Sequence, residues 1–412
     1  MRRTLIILAV VIVLLGAGAA AYYFFFAGTP SVSVAPPGGT SLPSSGQATL
    51  PPGGSATTSV SVPQPPPSST AVSARLMKIS AGPVSPGLAV IDVPAARTAS
   101  TSTAQASSSP DTLVEYIERQ SGNIYQYSEN ADQSTRTSNR TIPGIERAFW
   151  LPSGATAFVQ YLSGPAFSTV NTYGIAADGS NGFFLPQDLA DLAVSSTSVL
   201  VLASGINGSA ASLYKPTGSA LAANIFTTPL SSLRISFAGK GQYLAFTKPS
   251  SALEGDAYLV SSSGTFTRIA GPLTGLVALA SPSGKWALVS SSSGGTMHLA
   301  LVDTVTGAST ALPVATIVDK CVWAADSSAA YCAIPQSPST SYAYPDDWYQ
   351  GAVSFNDRIW KIDVAGRYAQ LVLDFTNEAK QPLDAESLAV DANGSVLAFI
   401  NKIDGSLWSY KL

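Results

Sequence analysis

The chain has 412 residues, more than one ordinary domain needs, yet only 11% are charged and the formal net charge is −3. That balance excludes an electrostatic nucleic-acid surface. Two cysteines are too few for a disulfide framework, one histidine excludes a histidine-built metal site, and no Gly-x-Ser-x-Gly, Gly-x-x-x-x-Gly-Lys or His-Glu-x-x-His motif occurs, so the residues nominate no catalytic group, metal ligand or cofactor.

After Arg2 and Arg3 an uncharged apolar run extends from Thr4 to Phe26 and closes on Tyr22-Tyr23-Phe24-Phe25-Phe26. As a helix it spans roughly 35 Å, enough for a hydrocarbon core of about 30 Å. A cleaved secretory signal has a shorter apolar region of about 7–15 residues; this one continues past Ala19-Ala20-Ala21. Residues 1–27 therefore read as a cytoplasmic stub and a single-pass, uncleaved signal anchor in the plasma membrane. The arginines hold the N-terminus inside and the aromatic cluster marks the far interface. Residues 28–74 carry no charge and are rich in Ser, Thr, Gly and Pro, with Pro36-Pro37-Gly38-Gly39 and Pro65-Pro66-Pro67. Such a segment cannot build a core and reads as a disordered tether, about 35–40 Å long as a flexible coil. A second Ser/Thr/Ala stretch, Arg97 to Pro110, reads as a long loop inside the folded part.

From residue 75 onward a hairpin recurs: an apolar strand, a tight turn, a second apolar strand. Equivalent second-strand positions are Val114, Phe158, Val201, Ala245, Leu288, Tyr331 and Ala398, at intervals of 44, 43, 44, 43, 43 and 67 residues. A period near 40–45 with alternating strands and Gly/Ser turns belongs to β-propeller blades rather than a helical solenoid. The seven units end on a third strand, Ser406–Leu412, while Arg75-Leu-Met-Lys-Ile-Ser80 is patterned like a fourth. Residues 75–412 are therefore expected to form an all-β, seven-bladed β-propeller closed by an N-terminal strand.

The Trp150-Leu-Pro-Ser-Gly154 turn and the Asp404-Gly-Ser-Leu-Trp-Ser-Tyr410 strand resemble those of the bacterial WD40-like propellers, the TolB-like repeat group. The resemblance covers about four fifths of the chain and its motifs specify fold rather than chemistry. The Gly-His and Trp-Asp signature of eukaryotic WD40 repeats is missing. What the resemblance implies is binding or scaffolding, as a membrane-tethered version similar to bacterial surface propellers.

Three features remain. Cys321 and Cys332 flank the turn Asp326-Ser327 so as to face each other across a hairpin at about 4.5–5.5 Å between Cα atoms. They suit a structural disulfide in an exported domain, or else a pair of reduced core thiols. His298, in a third strand, reads as structural, satisfied by a backbone or hydroxyl partner. Blade six carries an insertion, Pro335 to Asp357, holding Tyr342, Tyr344, Asp346, Asp347, Trp348, Tyr349 and Phe355. Of these, Tyr342, Tyr344, Asp346, Asp347, Trp348 and Tyr349 are the candidate binding residues, with Trp348 and Tyr349 as apolar anchors. The competing reading is a folded cap packed on blades six and seven. The expected function is a membrane-tethered extracytoplasmic module binding a protein or polysaccharide at its loop face. Alternatives are a glycan-acting hydrolase or lyase using carboxylates near Asp346 and Asp347, or a structural subunit of an envelope assembly.

Overall fold

Apolar alternation broken by glycine turns lets each strand pair with its sequence neighbour. In the computed structural model, which describes residues 75–94 and 110–412, these pairings build seven four-stranded antiparallel sheets. The expected membrane span and tether, and nearly all of the stretch Arg97 to Pro110, lie outside the described residues. Among the described residues no helix is long and apolar enough to cross a membrane.

The innermost strands of the blades are Ala89–Val93, Ile145–Trp150, Leu189–Val194, Leu233–Phe237, Val277–Ala280, Cys321–Trp323 and Ala385–Val390. All seven periodic positions, Val114 through Ala398, fall in the second strands, and all seven side chains are buried. The reason is packing between blades. Leu200, Ala193, Leu233, Ile235 and Tyr243 make one cluster across blades three and four, and Ile117, Ile124, Ala148 and Val159 join blades one and two. The glycine closing the turn after the inner strand takes a left-handed φ, 69° at Gly154 and 74° at Gly284. At Gly284 a Cβ would stand 2.3 Å from the Ala238 carbonyl oxygen of the preceding blade, so both the turn and the blade contact require glycine.

Blade seven combines the two ends of the domain. Leu76–Lys78 pairs with Leu407–Lys411 in the register Leu76 to Tyr410, Met77 to Ser409 and Lys78 to Trp408, completing the sheet and closing the ring. In blade six Cys321 and Cys332 are register partners, with sulfurs 2.06 Å apart and Cα atoms 4.1 Å apart. Ala324 N donates to Ala329 O, which makes the cysteines, three rungs away, a narrow non-hydrogen-bonded pair.

One buried carboxyl stands out in the core of blade one. Glu115 is 4% exposed; its Oε1 accepts from Gln126 Nε2 at 3.0 Å, while its Oε2 is buried without a partner. Burial pushes the carboxyl up to about 7 from 4.5, against the opposing pull of Gln126. A carboxyl raised in the folded state stabilises the fold below its unfolded value and loses that contribution as pH rises through the folded one. The interval corresponds to roughly 3 kcal/mol. Glu115→Gln should therefore gain about 3 kcal/mol on wild type between pH 4.5 and pH 8 in urea unfolding. A pH-independent gap between the two proteins would refute the assignment.

Candidate functional site

Inner strands of a propeller surround the axis, so residues in matching register near their starts collect at one channel mouth. Arg147, Asp191 and Arg234 occupy such positions in blades two, three and four, and Asp319 lies just before the inner strand of blade six. Arg147 Nε donates to Gln160 Oε1 at 2.7 Å and Arg147 Nη2 stands 3.5 Å from Asp191 Oδ1. Asp191 Oδ2 accepts from Ile235 N at 2.8 Å, tying blade three to blade four. Arg234 grips Asp319 with two parallel bonds of 2.7 and 3.0 Å, the bidentate geometry in which guanidinium and carboxylate interact most strongly. Tyr349 from the insertion donates its hydroxyl to Asp319 Oδ2 at 2.7 Å.

Burial and neighbouring charge pull these groups apart in basicity. Burial would raise the Asp319 carboxyl, but Arg234 overrides it and holds it below the usual carboxylate range. Burial opposes the Arg234 charge, and Asp319, Tyr349 and Asp191 more than compensate, so it stays firmly protonated. Arg147 is lowered by burial, with Arg234 adding to the effect and Asp191 resisting it. Burial, reinforced by Asp319, raises the Tyr349 phenol well above its ordinary value. The mouth thus carries fixed donors and fixed acceptors in balance; Asp191 is buried, while the other side chains remain partly open: 41% for Arg147, 31% for Arg234 and 26% for Asp319.

The six expected binding residues divide into three pairs. Tyr344 and Trp348 are 1% and 3% exposed and belong, with Phe355, to the core shared by blades four, five and six. Their side chains are therefore not surface anchors. They hold the insertion down as a cap: Tyr344 O accepts from Ser292 Oγ of blade five at 2.5 Å and Trp348 Nε1 reaches Asp384 at 3.1–3.2 Å, while the Tyr344 hydroxyl donates to Ser339 O within the insertion at 2.8 Å. Asp346 and Asp347 open a single helical turn, Asp346–Tyr349. Asp346 Oδ2 accepts from Ser251 N and Oγ at 3.0 and 2.7 Å, and Asp347 Oδ2 accepts from Ala343 N at 2.7 Å. Both carboxylates thus satisfy backbone donors of the loops. Asp346 and Asp347 are half-buried, and Tyr342 and Tyr349, at 36% and 37%, are the exposed pair. Tyr349 faces the channel mouth, and Tyr342 lines two surface cavities, one of about 380 Å³ between the insertion and blades four and five and one of about 400 Å³ within the insertion itself.

His298, expected to satisfy a hydrogen-bond partner, is instead exposed and borders a cavity of about 240 Å³ beside blades four and five. Its strand alternates, and Met297 and Leu299 take the inward positions. Among the described residues no three His, Cys, Asp or Glu side chains are grouped so as to hold a metal ion.

The mouth residues do leave a trace in the sequence. Arg147, Asp191 and Arg234 follow one another at 44 and 43 residues, and Lys320 stands two such intervals further on. They ride on the blade period, 10 or 11 residues ahead of the apolar second-strand positions that reveal it.

No family model matches the chain, and no curated protein matches it. Solved structures do share its arrangement. An oligogalacturonate lyase in complex with manganese aligns with a TM-score of 0.48 and 10% identity over 73% of this chain and 86% of that one. TolB from Acinetobacter baumannii aligns with a TM-score of 0.41 and 14% identity over 73% and 76%. The β-propeller domain of the Trilobed protease from Pyrococcus furiosus gives 0.45 and 8% over 73% and 89%. Each likeness is to the ring of blades, and no site residue is carried over from any of them.

Proposed function

We propose that this propeller is a membrane-tethered, extracytoplasmic module that binds a protein or polysaccharide chain at the channel mouth beside the blade-six insertion. The observation carrying this reading is the alternation of Arg147, Asp191, Arg234 and Asp319 around the mouth, with Arg147, Arg234 and Asp319 partly open, Asp191 buried behind them, and Tyr349 joined to Asp319. Equal numbers of cations and anions favour no strongly charged ligand. Donors and acceptors set side by side on rigid strands, with a phenol ring next to them, suit the hydroxyls of a sugar or the amides of a peptide. Asp346 and Asp347 are engaged with backbone and hydroxyl donors, which favours binding over the glycan-cleaving alternative.

The test is affinity for immobilised oligosaccharides and extracted surface proteins, with folding of every variant verified. Arg147→Ala and Tyr349→Ala should each weaken capture by about thirtyfold, as loss of an interface hot spot does. Unchanged capture by both variants would remove the mouth as the binding site.

A further inference from the structure

Beneath the cap three ionisable side chains meet with no access to solvent. Lys320, Asp357 and Asp384 are each 0% exposed. Lys320 leads into the inner strand of blade six, Asp357 opens the third strand of that blade, and Asp384 immediately precedes the inner strand of blade seven. The Lys320 ammonium donates to Asp384 Oδ1, to Ala385 O at 2.8 Å, and stands 2.9 Å from Asp357 Oδ2. The Trp348 and Phe355 rings lie 4.7 and 5.2 Å from Lys320 Nζ and close the pocket.

Each partner of the lysine is prepared differently. Asp384 accepts from Trp348 Nε1 at 3.2 and 3.1 Å and from Phe355 N at 3.0 Å, so two N–H groups face its carboxyl oxygens. Asp357 receives Ala385 N on Oδ2 at 2.8 Å, but its Oδ1 is buried with no partner. That oxygen is free to carry a proton. Buried ion pairs must offset a large desolvation cost and are weak stabilisers in themselves. An amine held dry against a carboxyl, with donors already aimed at the oxygens and a second carboxyl alongside, is the arrangement from which an amide forms.

We propose that Lys320 and Asp384 condense into an intramolecular isopeptide bond, with Asp357 as the proton-transferring neighbour. Asp357 takes a proton from the Lys320 ammonium, and the freed lone pair attacks Cγ of Asp384. The Nζ–Cγ bond forms while the negative charge on the Asp384 oxygens faces Trp348 Nε1–H and Phe355 N–H. Asp357 returns its proton to one of those oxygens, the nitrogen gives up a second, and the Cγ–O bond breaks to release water. Of the three ammonium hydrogens one remains on the amide and two leave with the oxygen. No oxidant or other reactant is required, and a neutral amide replaces the buried ion pair. Burial, with Asp384 adding to it and Lys320 opposing, pushes Asp357 up to about 6, a value suited to exchanging protons near neutral pH. The bond ties blade six to blade seven beside the channel.

Mass spectrometry of a tryptic digest of the full-length protein, reduced to open Cys321–Cys332, tests this. Acylated Lys320 resists trypsin, so residues 286–358 should appear uncut at 320 and joined to residues 381–402, lighter by one water than the two peptides together. Lys320→Arg, which keeps the charge but cannot form the bond, should yield separate peptides. Folded Asp357→Asn should lose most of the joined species. Cleavage after Lys320 in the wild-type digest, with both segments at their unmodified masses, overturns the bond. A joined species at wild-type yield in Asp357→Asn overturns the role of Asp357.

Discussion

Deleting residues 1–80 is expected to leave a domain several kcal/mol less stable than deleting residues 1–74, a large share of the roughly 5–15 kcal/mol that holds a domain folded. The difference is the closing strand. Leu76 and Ile79 are each 8% exposed, and burying such a side chain contributes about 1.5–3 kcal/mol. Ile79 N donates to Leu407 O at 2.9 Å, Lys411 N donates to Arg75 O at 2.9 Å, and Ser80 Oγ accepts from Leu407 N at 2.9 Å. Arg75 adds bonds of 3.0 and 2.7 Å to Lys411 O and lies 4.9 Å from the centre of the Tyr410 ring. Each hydrogen bond contributes about 0.5–1.5 kcal/mol net. Without the strand, Leu407–Lys411 becomes an open edge, prone to pair with other chains. Equal urea midpoints for the two truncations would show that the ring does not depend on this strand.

Trp348→Ala is expected to lower stability by about 3–5 kcal/mol, the range for removing a large buried aromatic. The indole is 3% exposed, lies 6.4 Å from the Phe355 ring, covers Lys320 and donates to Asp384. Tyr349, next in sequence, is 37% exposed and makes a hydrogen bond at the mouth. Tyr349→Ala should therefore cost only about 1 kcal/mol. Paired urea unfolding of the two variants measures the contrast. Wild-type stability in Trp348→Ala would contradict a packed cap.

The ring was legible because its signals are local. A hairpin needs only neighbouring strands and a turn glycine, so the spacing from Val114 to Tyr331 exposes the blades before any contact is known. The facing of Cys321 and Cys332 follows from the same hairpin arithmetic. The insertion announced itself by breaking the period, but its aromatics gave no indication of direction. Tyr344 and Trp348 point inward and Tyr342 and Tyr349 outward within one short segment whose single helical turn sets the directions. Least legible was the Lys320, Asp357 and Asp384 cluster. Its members come from the starts of three strands in two blades, and only the ring's curvature brings them together. Charged residues are scarce in this chain, so a charge beside Ile317 and Val318 was the available hint.

The pairing of Arg75 with Lys411 also orders events in time. These partners are 336 positions apart, and joining distant segments is slow because the chain entropy must be given up before the contacts form. During synthesis Leu76–Lys78 emerges early, yet its partner strand follows only after all the intervening blades. Until then the early strand has no mate and the growing array of blades has two unfinished ends, which other chains can exploit. The final handshake between first and last strands is thus the step at which crowding by sister molecules would do most harm, and a nascent chain held apart from its neighbours would complete it most often.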